Sequence, residues 1–371
     1  MAGIYVHIPF CARRCIYCGF FSTVREAEAA RYIDALCAEL RQRKAYLQDA
    51  PVTTVYFGGG TPSRLTPDQI GQVIAEIRQT YGLDSLEELT VECNPDDVTS
   101  DYISALRALG VNRISMGVQT FNNDLLRFLG RRHTASQAIG AVQACHDAGI
   151  HNVSIDLMYG LPGQTPAIQQ QDLETATSLN VQHISSYCLS FEEGSPLDRM
   201  RRENRIVPTD DDTCAAMYDR MCNHLRSAGF EHYEISNFCK PGYHSRHNSS
   251  YWDGTPYLGI GAGAHSYNGT SRQWNPNNLD AYLQGIEHNA PKYEIEHLSQ
   301  KDLYNERIML SLRTAQGLNL SALSSNDRHS VLQSAENLLN NDSLILENNH
   351  LRIPEHRMFI SDTIISTLFK S

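Results

Sequence analysis

Short β-branched runs alternate with amphipathic helical stretches along the first 190 residues of the chain. The strand-like runs are IYVHI (4–8), VTTVYF (52–57), LTVEC (89–93), NRISMGV (112–118), NVSIDLM (152–158) and HISSYCLS (183–190). Each is followed by a polar or Gly-rich loop and then a helical pattern. In the first of these helices Ile33, Leu36, Cys37, Leu40 and Leu47 share one face. The helical stretches close on Gly in IRQTYGL, LRALGV, CHDAGI and, later, LRSAGF, because a helix C-cap often needs a left-handed backbone. Six βα units in series predict an α/β fold with a parallel sheet and helical crossovers. Chemically suggestive residues follow nearly every strand, as barrel sites at strand C-termini require. An incomplete (β/α)6 barrel is therefore expected rather than a two-sided open sheet.

Past about residue 200 the alternation stops. A charged stretch, DRMRRENRIVPTDDD (198–212), reads as a bridge, and 235–278, rich in Asn, Gly, Tyr and His, reads as long loops. Helical patterns return at 300–313 and 328–340. SLILENNHLRI, with Asn348 and Asn349 at its turn, and a final helix then complete a small winged-helix-like unit. The expected organisation is a partial barrel over 1–200, a connecting α+β region over 201–298 and the winged-helix-like unit over 299–371, the last two forming a C-terminal α+β domain.

Composition narrows the function classes. The 371 residues suffice for a large core, and 41% hydrophobic and 20% charged residues are ordinary for a soluble globular protein. A net charge of −11 disfavours a nucleic-acid partner, which needs a basic surface. No run of about 18 apolar residues occurs, and MAGIYVHIPF has neither the charged start nor the long apolar stretch of a signal peptide. Ten cysteines without a secretion signal point to a reducing compartment, so the cytoplasm is the expected location.

The candidate chemistry begins in HIPFCARRCIYCGFFS (7–22), where Cys11, Cys15 and Cys18 form C-x3-C-x2-C on the loop after the first strand. A loop lets three thiolates converge. A structural zinc site usually takes four ligands; His7 is the nearest candidate for the fourth, and no second C-x-x-C follows. An iron–sulfur cubane usually takes four cysteines, so three would leave one iron open. Buried thiols are the third reading. YFGGGTP (56–62) follows the second strand: its glycines let backbone approach a ligand, and Thr61 and Pro62 open the next helix. A tight βα turn is the alternative, and the stretch lacks the Lys and downstream Gly of a P-loop.

C-x3-C-x2-C after the first strand of a βα barrel resembles the radical S-adenosylmethionine superfamily. The resemblance implies a 4Fe–4S cluster on Cys11, Cys15 and Cys18, whose open iron takes the amino and carboxylate groups of S-adenosylmethionine. YVHIPFC, FGGGTP, VECNP, MGVQTF, LGRRH and IDLMYGLPGQT occur in that order, as in the oxygen-independent coproporphyrinogen III dehydrogenase group. Carried over by motif, Tyr5, Gly59, Gly60, Thr61, Glu92, Gln119, Arg131 and Asp156 are the expected S-adenosylmethionine contacts. Glu92 and Asp156 suit ribose hydroxyls or an ammonium, and Arg131 suits a carboxylate. Taken singly, each also reads as a satisfied structural polar residue.

Two features depart from the dehydrogenase. The cluster motif begins at residue 11, and Phe20 stands where the dehydrogenase has a further cysteine. Both features, the length, and RHNSSYWDGTPYLGIGAGAHSY (246–267) are similar to the HemW-type haem chaperones. That resemblance implies haem binding, transfer to client apo-haemoproteins, a homodimer and peripheral membrane association, without coproporphyrinogen dehydrogenase activity. His247 is the expected haem ligand, with Tyr251 and Trp252 suited to the porphyrin face. The competing reading of His247, Asn248 and Trp252 is a hydrogen-bonded corner of an irregular loop. His265 and Cys239 are weaker candidates. Cys37, Cys93, Cys145, Cys188, Cys214 and Cys222 read as buried thiols. The rival functions are coproporphyrinogen dehydrogenation, radical tRNA modification and a structural zinc protein.

Overall fold

The computed structural model describes residues 1–370. Six strands, β1 (Ala2–Ile8), β2 (Val52–Gly59), β3 (Glu88–Cys93), β4 (Arg113–Gln119), β5 (Asn152–Tyr159) and β6 (His183–Cys188), pair in parallel in chain order. The crossovers carry α1 (Ala29–Gln42), α2 (Pro67–Tyr81), α3 (Ser100–Ala108), α4 (Asn123–Leu129) with α5 (Ala135–Asp147), and α6 (Pro166–Ser178). Strand residues are buried on both faces, which is why the runs read as nearly continuous apolar stretches. Threonine caps start α2, α3, α5 and α6; Thr66 with Gln69 and Thr134 with Gln137 form reciprocal capping boxes.

The long loops expected over 235–278 are corrected to short strands and helices. The charged bridge is helical at its two ends, in α7 (Pro196–Arg202) and α8 (Asp211–Ser227). A hairpin of β7 (Glu231–Glu234) and β8 (Asn237–Cys239) then sets β8 antiparallel against β6. After α9 (Arg246–Asp253), β9 (Tyr257–Ile260) joins the other edge, parallel to β1. β10 (His265–Tyr267), β11 (Ser271–Trp274) and, past α10 (Leu279–Glu287), β12 (Glu294–His297) extend that edge antiparallel. The result is one twelve-stranded sheet, ordered β12-β11-β10-β9-β1-β2-β3-β4-β5-β6-β8-β7. The added strands are three or four residues long. That is too short for an alternation to show, and an existing sheet edge supplies their hydrogen-bond partners.

A buried network in α1 joins the barrel to this extension. Glu39 accepts from Gly261 N at 2.9 Å, Asn275 Nδ2 at 2.8 Å and the Tyr282 hydroxyl at 2.8 Å. Arg43, one turn on, donates to Gly259 O at 3.1 Å, Ser266 Oγ at 3.2 Å and Gln273 Oε1 at 2.9 Å.

The C-terminal part holds α11 (Gln300–Leu312), β13 (Leu318–Asn319), α12 (Ser325–Asn340), β14 (Ile345–Glu347) and β15 (His350–Arg352), with a three-stranded sheet ordered β13-β15-β14. Asn348 and Asn349 form the two-residue turn with φ of 48° and 64°, the left-handed pair such hairpins favour. Among the described residues no helix is long and apolar enough to cross a membrane.

Candidate functional site

A cavity of about 640 Å³ opens at the C-terminal ends of the parallel strands. Cys11, Cys15 and Cys18 all line it. Their loop is held by backbone bonds at both ends: Cys11 N donates to Thr23 O at 2.9 Å, and Thr23 N to Pro9 O at 2.7 Å. The thiols have different neighbours. Cys11 Sγ accepts from Thr61 Oγ1 at 3.4 Å, and Cys15 Sγ accepts from Arg131 Nη1 at 3.5 Å. Burial raises the Cys11 and Cys18 thiols above their usual range, opposed by hydrogen bonds from Thr61 and Phe20 respectively.

A fourth ligand separates the readings. His7, the expected fourth zinc ligand, is engaged: Nε2 is 3.0 Å from Phe21 O and Nδ1 is 3.2 Å from the Tyr5 hydroxyl. Three thiols on a roomy cavity, with no fourth side chain free, fit a cubane with one open iron better than a structural zinc.

Seven of the eight residues expected around S-adenosylmethionine line the same cavity: Gly59, Gly60, Thr61, Glu92, Gln119, Arg131 and Asp156. Tyr5 does not. It stands behind the wall, its ring 6.1 Å from that of Tyr56. Glu92 accepts from the Tyr56 hydroxyl at 2.7 Å and from Gly59 N at 3.1 Å. Burial, reinforced by the Asp156 charge, pushes Glu92 up to about 7, and burial pushes Asp156 to about 6. Arg131 donates through Nη2 to Asn94 Oδ1 at 2.7 Å and Gly117 O at 2.5 Å, while its buried Nε has no partner in the protein. Two carboxylates, a buried guanidinium with a spare donor and three thiols fit a bound amino acid with a ribose.

The glycines have a second reason to be there. A Cβ on Gly59, which sits at φ 110°, would come 2.5 Å from the His7 ring, and one on Gly60 would come 2.8 Å from the Pro9 carbonyl. The loop lies too tightly against the segment after β1 for side chains. Gln119 closes β4 with φ 71°, a conformation that non-glycine residues adopt mainly where the surroundings impose it.

His247 lies elsewhere. It has no exposed surface, and its ring nitrogens are bonded to Thr54 Oγ1 and the Tyr251 hydroxyl, both at 2.9 Å. Its ring lies 5.1 Å from that of Tyr56, and burial pushes its basicity down to about 3. In this arrangement neither nitrogen is free for iron; His247 lies in the helix α9 rather than in the expected irregular loop, and the Trp252 Nε1 has no partner in the protein. Cys188 is also corrected: at the end of β6 it is exposed and lines the cavity, rather than being buried. The sequence reading missed Tyr17, Asn94, Ser115 and Tyr187, all on the cavity wall. Tyr17 beside the cysteines, and Asn94 and Tyr187 at strand ends, carried the available signal; Ser115, inside β4, carried none.

The family model described as Radical SAM superfamily matches residues 5–174, and one described as HemN C-terminal domain matches 298–359. The haem chaperone HemW of Mycobacterium tuberculosis is 34% identical over 99% of this chain and 94% of its own length. That of Lactococcus lactis is 38% identical over 85% of this chain and 82% of its own. The chain belongs to the HemW family. The solved structure of coproporphyrinogen III oxidase (HemN) from Escherichia coli superposes with a TM-score of 0.86 over 100% of this chain and 90% of its own, at 22% identity. That likeness shows that this chain and the oxidase share one fold. Phe20 is 68% exposed on the cavity lining, beside the cluster loop.

Proposed function

We propose that this protein binds haem and passes it to apo-haemoproteins, with the radical S-adenosylmethionine site as a resident element. The observation that carries the reading is identity to haem chaperones over 99% of the chain, which takes in the cysteine loop, the sheet extension and the C-terminal unit. Cys11, Cys15 and Cys18 would hold the 4Fe–4S cluster, and Gly59, Gly60, Thr61, Glu92, Gln119, Arg131 and Asp156 would hold S-adenosylmethionine. When bound, the pair supplies reductive cleavage to a deoxyadenosyl radical. Arg131, which lines the cavity with Nη1 on Cys15, would take the carboxylate of the methionine part. Glu92 and Asp156, both less acidic than usual carboxyls, would receive an ammonium or ribose hydroxyls. A homodimer and a peripheral membrane contact belong to the same reading.

The test is anaerobic cluster reconstitution followed by a haem titration beside a coproporphyrinogen assay. About one haem per chain and no decarboxylated porphyrin are expected. Efficient turnover of coproporphyrinogen would replace the chaperone reading with the enzymatic one.

A further inference from the structure

Where α8 and β7 meet the C-terminal unit, three different ligand types converge. The Cys222 thiol, a ring nitrogen of His232 and the Glu355 carboxylate lie within 4.8 Å of one another. Cys222 belongs to α8, His232 to β7, and Glu355 opens the 3-10 segment Glu355–Ile360. None of them lines the cofactor cavity.

The hydrogen bonding of this cluster is incomplete. His232 Nδ1 is 3.1 Å from Glu355 Oε1, and Nε2 is 3.4 Å from the Ile235 carbonyl oxygen. Both oxygens are acceptors. A neutral imidazole has one N–H, so in either tautomer its bare nitrogen faces a lone pair. A second proton would satisfy both contacts only by placing a charge among buried groups. A metal ion would satisfy them without that proton. The ring is held in place by stacking on Phe238, with centroids 4.2 Å apart and planes at 12°. Tyr218, one turn before Cys222 on α8, is 3% exposed, and the Cys222 thiol is the one group that its buried hydroxyl meets. Its ring meets His232 edge-on at 6.1 Å.

We propose that Cys222, His232 and Glu355 bind one zinc-type divalent cation, with water or the Tyr218 hydroxyl completing four-coordination. The donor set suits zinc, which takes thiolate sulfur, imidazole nitrogen and carboxylate oxygen. Thiolate and carboxylate together neutralise the ion. Nε2–H donating to Ile235 O leaves Nδ1 as the ligand atom, the usual supporting bond for a metal-bound histidine. Arg226, ion-paired to the other Glu355 oxygen, orients the carboxylate. Glu355 alone comes from the C-terminal part, so the ion ties that part to α8 and β7.

The test uses full-length protein with its cluster reconstituted, so that iron occupies the cluster cysteines. After zinc loading and removal of loosely bound metal, elemental analysis should give about one zinc per chain. Zinc X-ray absorption should show one sulfur at about 2.3 Å, with nitrogen or oxygen completing the shell. Cys222→Ser should remove the zinc, and Glu355→Gln should weaken it at least tenfold, with iron content unchanged in both. Glu355 is a third exposed, so Glu355→Gln tests the site even if Cys222→Ser fails to fold. Zinc retained at full affinity in Glu355→Gln, a shell of several sulfurs, or loss on Cys239→Ser instead would overturn the proposal. The last would place the metal on the neighbouring Glu231, Cys239 and His244.

Discussion

His247 ties α9 to β2 through a neutral imidazole wedged between Thr54 and Tyr251. Its basicity is about 3 in the fold, against about 6.5 in an unfolded chain. Between those values the unfolded chain takes a proton that the fold refuses. Stability is therefore full above pH 6.5 and falls as pH drops, by about 1.4 kcal/mol per pH unit from this residue alone. His7, His133 and His232, each held to about 4, act in the same sense. Buried carboxyls such as Glu92 act in the opposite one, so the difference between variant and parent is the quantity to read. His247→Gln should cost about 1–3 kcal/mol at pH 7, by unpairing Thr54 or Tyr251. It should also flatten the pH slope between 5 and 6.5 by about one proton, seen in urea unfolding, and leave the haem spectrum unchanged. A lost or shifted haem spectrum in a folded variant would return His247 to the ligand role. The motif around His247 marked it as special in sequence. Burial, which decides between ligand and corner, is a tertiary property that no local pattern carries.

The cluster loop depends on elements that share no motif with it. Ile16 N donates to Leu129 O at the end of α4 at 3.3 Å, and Leu197 N in α7 donates to Ile16 O at 2.9 Å. Ile16 also packs on a small core of its own, formed by Leu125, Leu129, Met158, Leu161, Leu189 and Leu197. Leu197→Ala should destabilise by about 2–5 kcal/mol. Because the cavity it leaves lies beneath the loop, iron retained after reconstitution should fall although every cysteine is intact. Iron content equal to the parent's at 25 °C would show that the loop holds its shape without this support. The contrast between elements explains what was legible. β1 to β6 are buried on both faces, and their apolar runs stand out. Gly59, Glu92, Gln119 and Asp156 lie within those strands, and Gly60, Thr61 and Arg131 sit in motifs just beyond them, so their placement came with the strands. β7 to β12 are short, and α7 is a seven-residue helix inside a charged stretch, so neither has a period long enough to read.

At the scale of the molecule, the barrel edges are not free. β1 is covered by β9 and β6 by β8, and both covering strands come from beyond residue 200. A chain cut at 200 would bare two rows of unpaired backbone groups, the usual template for aggregation. It would also strip α1 of its partners. Glu39 would lose Gly261, Asn275 and Tyr282, and Arg43 would lose Gly259, Ser266 and Gln273. The charged pair would then be left half-solvated against an apolar face that Leu283 and Ile286 of α10 no longer cover. The fragment 1–200 should therefore aggregate in sedimentation and show no cooperative unfolding by circular dichroism, whereas the full chain melts cooperatively. A monomeric fragment with a sharp transition would mean that the six-stranded barrel is a domain in its own right. It would also mean that the sheet extension is an addition to it, and not part of what makes the cofactor cavity stable.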